Sequence, residues 1–246
     1  MIPVPPAVGL RSPTTLLDAW DAGRAAPDLA RGAVVLATAA ARPADDLVDL
    51  PVSELATLAL RTHRETYGDG LDVVMRCESC DELLDVPLSV SDLIDDADAP
   101  LPVSGPRRLS VNGHALEVRT PTTRDLLQAT RSRDPASWIL ARCVVVDDGA
   151  LAPDELDDAA TLAVDELLEQ LAAPSLSTLV APCPQCGDRA TAVLDPAALL
   201  WQSVDAHAPA LLAEVAHLAV VFGWSQESVL AMSHARRAAY LELAGA

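Results

Sequence analysis

Apolar residues recur at three- and four-residue steps through the first 68 positions, and that period predicts three helices. Residues 1–13 are rich in proline and read as an extended lead-in. Thr14 or Thr15 is placed to cap a helix over 16–22, which Gly23 would close. A second helix is expected over 27–41. A third starts at Pro51 or Ser53, carries Leu55, Leu58, Leu60 and Tyr67, and stops at Gly68. The period then shortens to two. Residues 72–76 and 82–88 read as strands joined by Cys77-Glu78-Ser79-Cys80. Residues 89–101 are acidic and flanked by proline, which suggests a short helix and a surface linker. Residues 109–111 and 115–119 alternate about Asn112-Gly113, the signature of a type I′ hairpin. Helical spacing returns over 125–131, capped by Thr122 or Thr123, and over 135–146 with Trp138 and Cys143.

Pro153 opens an acidic amphipathic helix to about residue 172, with Leu156, Leu162, Leu167 and Leu171 as its inward face. Residues 176–181 and 189–194 flank Cys183-Pro184-Gln185-Cys186-Gly187 as a second strand–turn–strand. A long helix covers 196–221, where Leu200, Val204, His207, Leu211, Val215, Leu218 and Phe222 form one stripe. Pro209 lies inside it and predicts a kink or a split. Gly223 breaks the helix, and two short ones follow over 226–232 and 234–243. No tandem repeat is visible. A weak echo is: each CxxC precedes a short strand and a short helix, 86–93 and 192–199.

The fold class that follows is α+β and mainly helical. Its parts are an N-terminal helical segment (1–68), a first knuckle hairpin with its acidic linker (69–101), an inserted hairpin with helices (102–175), a second knuckle hairpin (176–195) and a C-terminal long helix with two short ones (196–246). A chain of 246 residues buries enough surface to form one compact unit without disulfides.

Charge narrows the function. Seventeen basic residues face 36 acidic ones, for a formal net charge of −19. All the basic residues are arginine, and none of their runs exceeds two (Arg107-Arg108, Arg236-Arg237). Nucleic-acid binders carry a basic face that displaces counterions from phosphates, so direct nucleic-acid contact is not expected. Without lysine there is no P-loop lysine, no Schiff base and no polybasic membrane anchor. The N-terminus lacks the charged start and apolar run of a signal peptide. No apolar stretch, such as 33–41, reads as long enough to span a bilayer. The expectation is a cytoplasmic protein without a membrane anchor.

The cysteines carry the clearest chemistry. Cys77-x-x-Cys80 and Cys183-x-x-Cys186 each place two sulfurs on one tight turn, and two such turns complete a tetrahedral four-sulfur shell. Tetrahedral thiolate is the preference of Zn2+. The pair resembles a zinc ribbon, here assembled from two distant β-hairpin knuckles with helices packed around it. The predicted cofactor is one structural Zn2+ per chain. About a hundred residues separate Cys80 from Cys183, so residues 81–182 contain an insertion between two halves of one ribbon. Four buried or redox cysteines are the competing reading. Redox CxxC motifs sit at helix N-termini, and these sit between strands. Cys143 reads as a small buried hydrophobe.

The usual catalytic motifs are missing: no GxGxxG, GxSxG, HExxH or GxxxxGK[ST] occurs. His207 falls on the apolar stripe of the long helix and reads as a core residue. Asp95-Asp96, Asp147-Asp148 and Asp157-Asp158 read as solvated or capping charge. No residue is assigned to catalysis.

Several stretches match a known family in order. They are 16–23 (LLDAWDAG), 77–80, 118–127 (VRTPTTRDLL), 183–187, Leu200-Trp201, 222–232 (FGWSQESVLAM) and 236–243 (RRAAYLEL). The chain resembles the phage T4-like baseplate proteins, hub or hub-assembly components of contractile phage tails and of phage-tail-like contractile injection systems. The four cysteines fall on that family's two CxxC knuckles. The resemblance implies a non-enzymatic structural or assembly (chaperone-like) role. Its implied partners are baseplate, hub or spike proteins, and the chain could be incorporated into an assembled tail-like particle. Two readings from other classes stand beside it: a zinc-ribbon adaptor in transcription or nucleic-acid metabolism, and a thiol-redox or metal enzyme.

The tail itself suggests recognition. Trp224, Met232, Arg236, Arg237 and Tyr240 gather large and cationic side chains of the kind enriched at interfaces. The competing reading has them close the core against the long helix.

Overall fold

Ser12, rather than Thr14 or Thr15, starts the first helix. Its hydroxyl accepts the Thr15 amide at 2.9 Å and Pro13 takes the first helical position. The computed structural model describes residues 9–10, 12–94, 105–146, 156–173, 175 and 177–245. Most of the expected lead-in and linker, and Pro153, therefore lie outside the described residues. Leu10 is buried, and its amide donates to Thr66 Oγ1.

Helix α1 (Pro13–Ala25) runs through Gly23 instead of ending there. Gly23 is a packing glycine: a Cβ would sit 2.3 Å from a ring carbon of Trp201. The expected helix over 27–41 is divided. Pro27 is extended, a 3-10 turn covers Asp28–Ala30, and α2 follows over Arg31–Ala39. Helix α3 (Ala44–Val48) was not expected, because five residues after a proline show no period. Helix α4 (Val52–Tyr67) matches its expectation and ends at Gly68.

Helices α1, α2 and α4 pack on α9 (Pro196–Phe222), capped by Asp195, and α3 packs on α2. Leu200, Trp201 and Val204 join Ala19, Leu36, Leu47, Leu55 and Leu58 in the main core. The second half of α9 supplies Ala208, Leu211, Val215 and Leu218 to a second cluster with Leu17. Pro209 does not split the helix. Both Pro209 and Asp205, whose carbonyl loses its donor, are exposed, so water can satisfy that carbonyl. His207 and Phe222 lie off the buried stripe, and Ala208 takes the inward position. By length and composition α9 could cross a membrane, contrary to the sequence reading. Its stripe is nevertheless the centre of both cores, and Asp205 accepts the Trp20 indole at 2.7 Å.

A second close approach is that of α2 to α9. A Cβ on Gly32 would lie 2.4 Å from the Ala197 carbonyl oxygen, a backbone atom that cannot swing aside. Gly32→Ala is expected to cost about 3 kcal/mol through overpacking. A fall in the urea midpoint at unchanged slope checks it.

Among the described residues, three small antiparallel sheets complete the fold. Strands β1 (Gly70–Arg76) and β2 (Leu83–Ser89) pair, and β2 runs into the short α5 (Val90–Leu93). Strands β3 (Arg107–Val111) and β4 (His114–Val118) flank Asn112-Gly113, both at positive φ as a type I′ turn requires. The helix expected over 135–146 ends early. α7 covers Pro135–Cys143, and Val144–Val146 form β5 beside β4, as three β-branched residues favour. Helix α8 (Asp158–Ala172), capped by Asp157, closes this sheet through Val164, Leu167, Leu168 and Leu171. Leu162, expected inward, is 60% exposed. Strands β6 (Ser177–Pro182) and β7 (Arg189–Leu194) form the last hairpin, and α10 (Gln226–Leu230) and α11 (His234–Ala244) finish the chain. Helices take 58% of the described residues, so the fold is α+β and mainly helical.

The inserted unit is fastened to the helical body by the stretch 118–127. Thr122 and Asp125 form a capping box on α6 (Thr123–Ala129). Arg119 donates to Asp125 at 2.6 Å, Arg124 reaches Asp45 and Asp49 beside α3, and the Val52 amide donates to the Pro121 carbonyl at 2.9 Å. Burial raises the Asp125 carboxyl, but Arg119 and Thr122 outweigh it and hold the group below the usual carboxylate range. Its contribution to stability is therefore present above pH about 4 and lost as the pH falls through the lowered value. Asp125→Ala is expected to cost about 2–3 kcal/mol near neutrality and to flatten the acid limb of the stability–pH curve, read by thermal unfolding.

Candidate metal centre

The two CxxC turns join β1 to β2 and β6 to β7, and the hairpins approach through β1 and β7. Each turn has the same backbone bonding. The Cys77 amide donates to Glu82 O at 2.8 Å, and the Asp81 amide to Cys77 O at 2.9 Å. The Cys183 amide donates to Asp188 O at 2.7 Å, and the Gly187 amide to Cys183 O at 2.9 Å. Residue numbers correspond at a constant offset, Cys77 with Cys183 and Cys80 with Cys186. The correspondence continues beyond the sulfurs. Asp81 and Gly187 both have positive φ, 60° and 79°. Ser89 caps α5 as Asp195 caps α9. The weak echo of the sequence is thus a structural repeat of residues 71–94 in 177–200. The sequence hid it because glycine at one αL position is aspartate at the other, and because one helix has four residues and the other 27.

The repeat brings all four sulfurs together. Cys77 Sγ lies 3.6 Å from Cys186 Sγ, and Cys80 Sγ lies 3.6 Å from Cys183 Sγ. All four fall within 4.8 Å of one another. Four sulfurs about 2.3 Å from a central zinc would stand about 3.8 Å apart, so the cluster is compatible with a tetrahedral zinc site. Cys77 and Cys183 are buried, Cys80 and Cys186 exposed. Beneath them Val73, Met75, Leu84, Ala190 and Leu194 form a small apolar cluster.

The electrostatics favour a cation. The Cys186 and Gln185 amides hold the Cys183 thiol down to about 7. The Glu82 amide favours the Cys80 thiolate, but desolvation and the three neighbouring sulfurs prevail and push that thiol up to about 12. Four thiolates at this spacing do not coexist without a positive charge among them. Backbone amides directed at sulfur suit ligands of a metal. Cys143 stands apart, buried in α7, with burial pushing its thiol up to about 11.

The residues proposed for partner contact are placed unevenly. Arg237 is 5% exposed and faces inward; its guanidinium donates to Glu214 at 3.0 Å and to the Met232 carbonyl at 3.0 Å. Trp224 and Tyr240 are half-buried, 4.7 Å apart edge to face, against the second cluster. Met232 is half-buried and Arg236 exposed.

A groove of about 470 Å³ beside β1 was not anticipated; His63, Tyr67, Asp72, Gln202, Ser203 and His207 line it. His63 Nε2 lies 3.1 Å from Ser203 Oγ, but that hydroxyl donates to Leu199 O, which makes it a poor nucleophile. Burial lowers the His63 pKa and keeps the ring neutral, as a polar link between α4 and α9.

No protein-family model, no curated protein and no solved structure matches this chain.

Proposed function

We propose that Cys77, Cys80, Cys183 and Cys186 hold one structural Zn2+ per chain, and that the two hairpins form a zinc ribbon whose halves are separated in sequence by the inserted unit. On this reading the protein is a non-enzymatic structural or assembly component of a contractile, phage-tail-like baseplate. The carrying observation is the convergence of four sulfurs from matched turns. Four thiolates fill a tetrahedral shell and leave no position for water or substrate, which suits a structural metal rather than a catalytic one. The order of the LLDAWDAG, VRTPTTRDLL, FGWSQESVLAM and RRAAYLEL stretches supports the baseplate role. A charge of −19 would keep such a component soluble before assembly and suppress unspecific contacts, including contacts with nucleic acid. The reducing cytoplasm, where particles are built, keeps the thiols available for metal.

The ribbon is tested by zinc stoichiometry in the purified protein. The assembly role is tested by deleting the gene in its host and imaging the particles. Missing or sheathless particles support it; normal particles in normal number exclude it. Mass spectrometry of purified wild-type particles then separates a retained component from an assembly factor that leaves.

A further inference from the structure

The four sulfurs are not equivalent pairs. Each of the two 3.6 Å contacts joins an exposed sulfur of one turn to a buried sulfur of the other: Cys186 with Cys77, and Cys80 with Cys183. The repeat exchanges these pairs with one another, so whatever happens at one is geometrically available at the other. The turns hold the two cysteines within each CxxC by the backbone bonds from Cys77 to Glu82 and from Cys183 to Asp188.

We propose that hydrogen peroxide converts this centre into two disulfides between the hairpins, Cys77–Cys186 and Cys80–Cys183, with release of the metal. The proposal takes its starting state from the zinc reading. The exposed sulfur of each pair attacks one peroxide oxygen, giving a sulfenic acid and, with a proton, one water. The buried sulfur of the opposite turn attacks that sulfenic sulfur, forms the S–S bond and, with a second proton, releases a second water. Zn(S-Cys)4 with charge −2, two H2O2 and four protons thus give Zn2+, two disulfides and four waters. Each disulfide loses two electrons and each peroxide gains two. The joint survives the exchange. Residues 71–94 and 177–200, held by metal when reduced, become held covalently when oxidised, so oxidation does not release the insertion. Disulfides within each CxxC would do the opposite and leave the hairpins unjoined.

The test oxidises zinc-loaded wild-type protein with hydrogen peroxide and follows zinc with a chromogenic chelator. Unreduced tryptic peptides are then mapped by mass. Arg76 and Arg107 bound the peptide with Cys77 and Cys80; Arg142 and Arg189 bound the one with Cys143, Cys183 and Cys186. The expected result is the two peptides linked, one zinc released per chain and Cys143 still free. Separate peptides, each with an internal disulfide, overturn the proposal, as do sulfinic acids without a link. The pairing is read in the same wild-type sample: cleavage after Glu78 separates Cys77 from Cys80, and fragmentation of the linked peptides between Cys183 and Cys186 assigns each partner. Cys77 linked to Cys186 and Cys80 linked to Cys183 are expected; Cys77 linked to Cys183, or Cys80 to Cys186, overturns the assignment. If the reduced protein carries no zinc, the metal reading fails by itself, and the disulfide map still decides this inference.

Discussion

Cys77→Ser and Cys183→Ser are each expected to abolish zinc retention and to unfold both hairpins. A serine hydroxyl does not ionise near neutral pH and cannot replace a thiolate ligand. The remaining three sulfurs would keep the metal only weakly. The loss is large because little else joins the two hairpins. They touch through β1 and β7 without a shared ladder, and the cluster below them is built from Val73, Met75, Leu84, Ala190 and Leu194. Structural zinc contributes about 10–16 kcal/mol in small metal domains. Whole domains are stable by about 5–15 kcal/mol. Losing the metal therefore removes more than this region can supply. Elemental analysis is expected to fall from one zinc per chain to near zero, and the cooperative transition of the hairpins to disappear. The helical core around Trp201 belongs to another cluster, so most far-ultraviolet helix signal should persist. Cys143→Ser is the control: it lies outside the centre and should leave zinc content unchanged. A Cys77→Ser protein with one zinc per chain and a wild-type midpoint would sink the shared site.

The same separation of clusters explains what the sequence could and could not disclose. Long elements with a clear period were legible: α4, α8 and α9 stand close to where the apolar spacing puts them. The Asn112-Gly113 hairpin was legible because its turn chemistry is local. Both cysteine turns were legible because two sulfurs on a tight turn carry their own geometry. Errors came where tertiary contact overrides a local rule. Gly23 has the chemistry of a helix stop, yet the Trp201 ring requires its missing side chain. Pro209 has the chemistry of a break, yet its helix is held on both sides of it by two clusters. Val144–Val146 continue a helical spacing but become a strand because β4 offers an open edge. That the two turns share one cluster was only suggested by sequence; the repeat of caps and αL residues around them needed coordinates.

Removing residues 224–246 is expected to destabilise the helical body, not merely to erase a docking surface. Val229 and Leu230 are buried, and Trp224, Tyr240 and Leu241 lean on the same cluster as Leu211, Val215 and Leu218. Arg237, turned inward to Glu214, ties α11 to α9. Burying one large aliphatic side chain is worth about 1.5–3 kcal/mol, so the deletion should remove at least about 6 kcal/mol. For a chain of this size that corresponds to a fall in Tm of roughly 15 °C. The deletion would also uncover the apolar half of α9, so the truncated chain should aggregate on warming. A truncated protein that melts with the full-length chain would show that these residues contribute no core and exist for contact alone. Arg236 separates the two roles. It is exposed, and its loss disturbs no buried group. Arg236→Glu should leave Tm within about 1 °C, since exposed substitutions typically change stability by less than about 0.5 kcal/mol. If the tail also docks on a baseplate protein, the same variant weakens that contact without touching the fold, so docking and folding can be read from one pair of proteins.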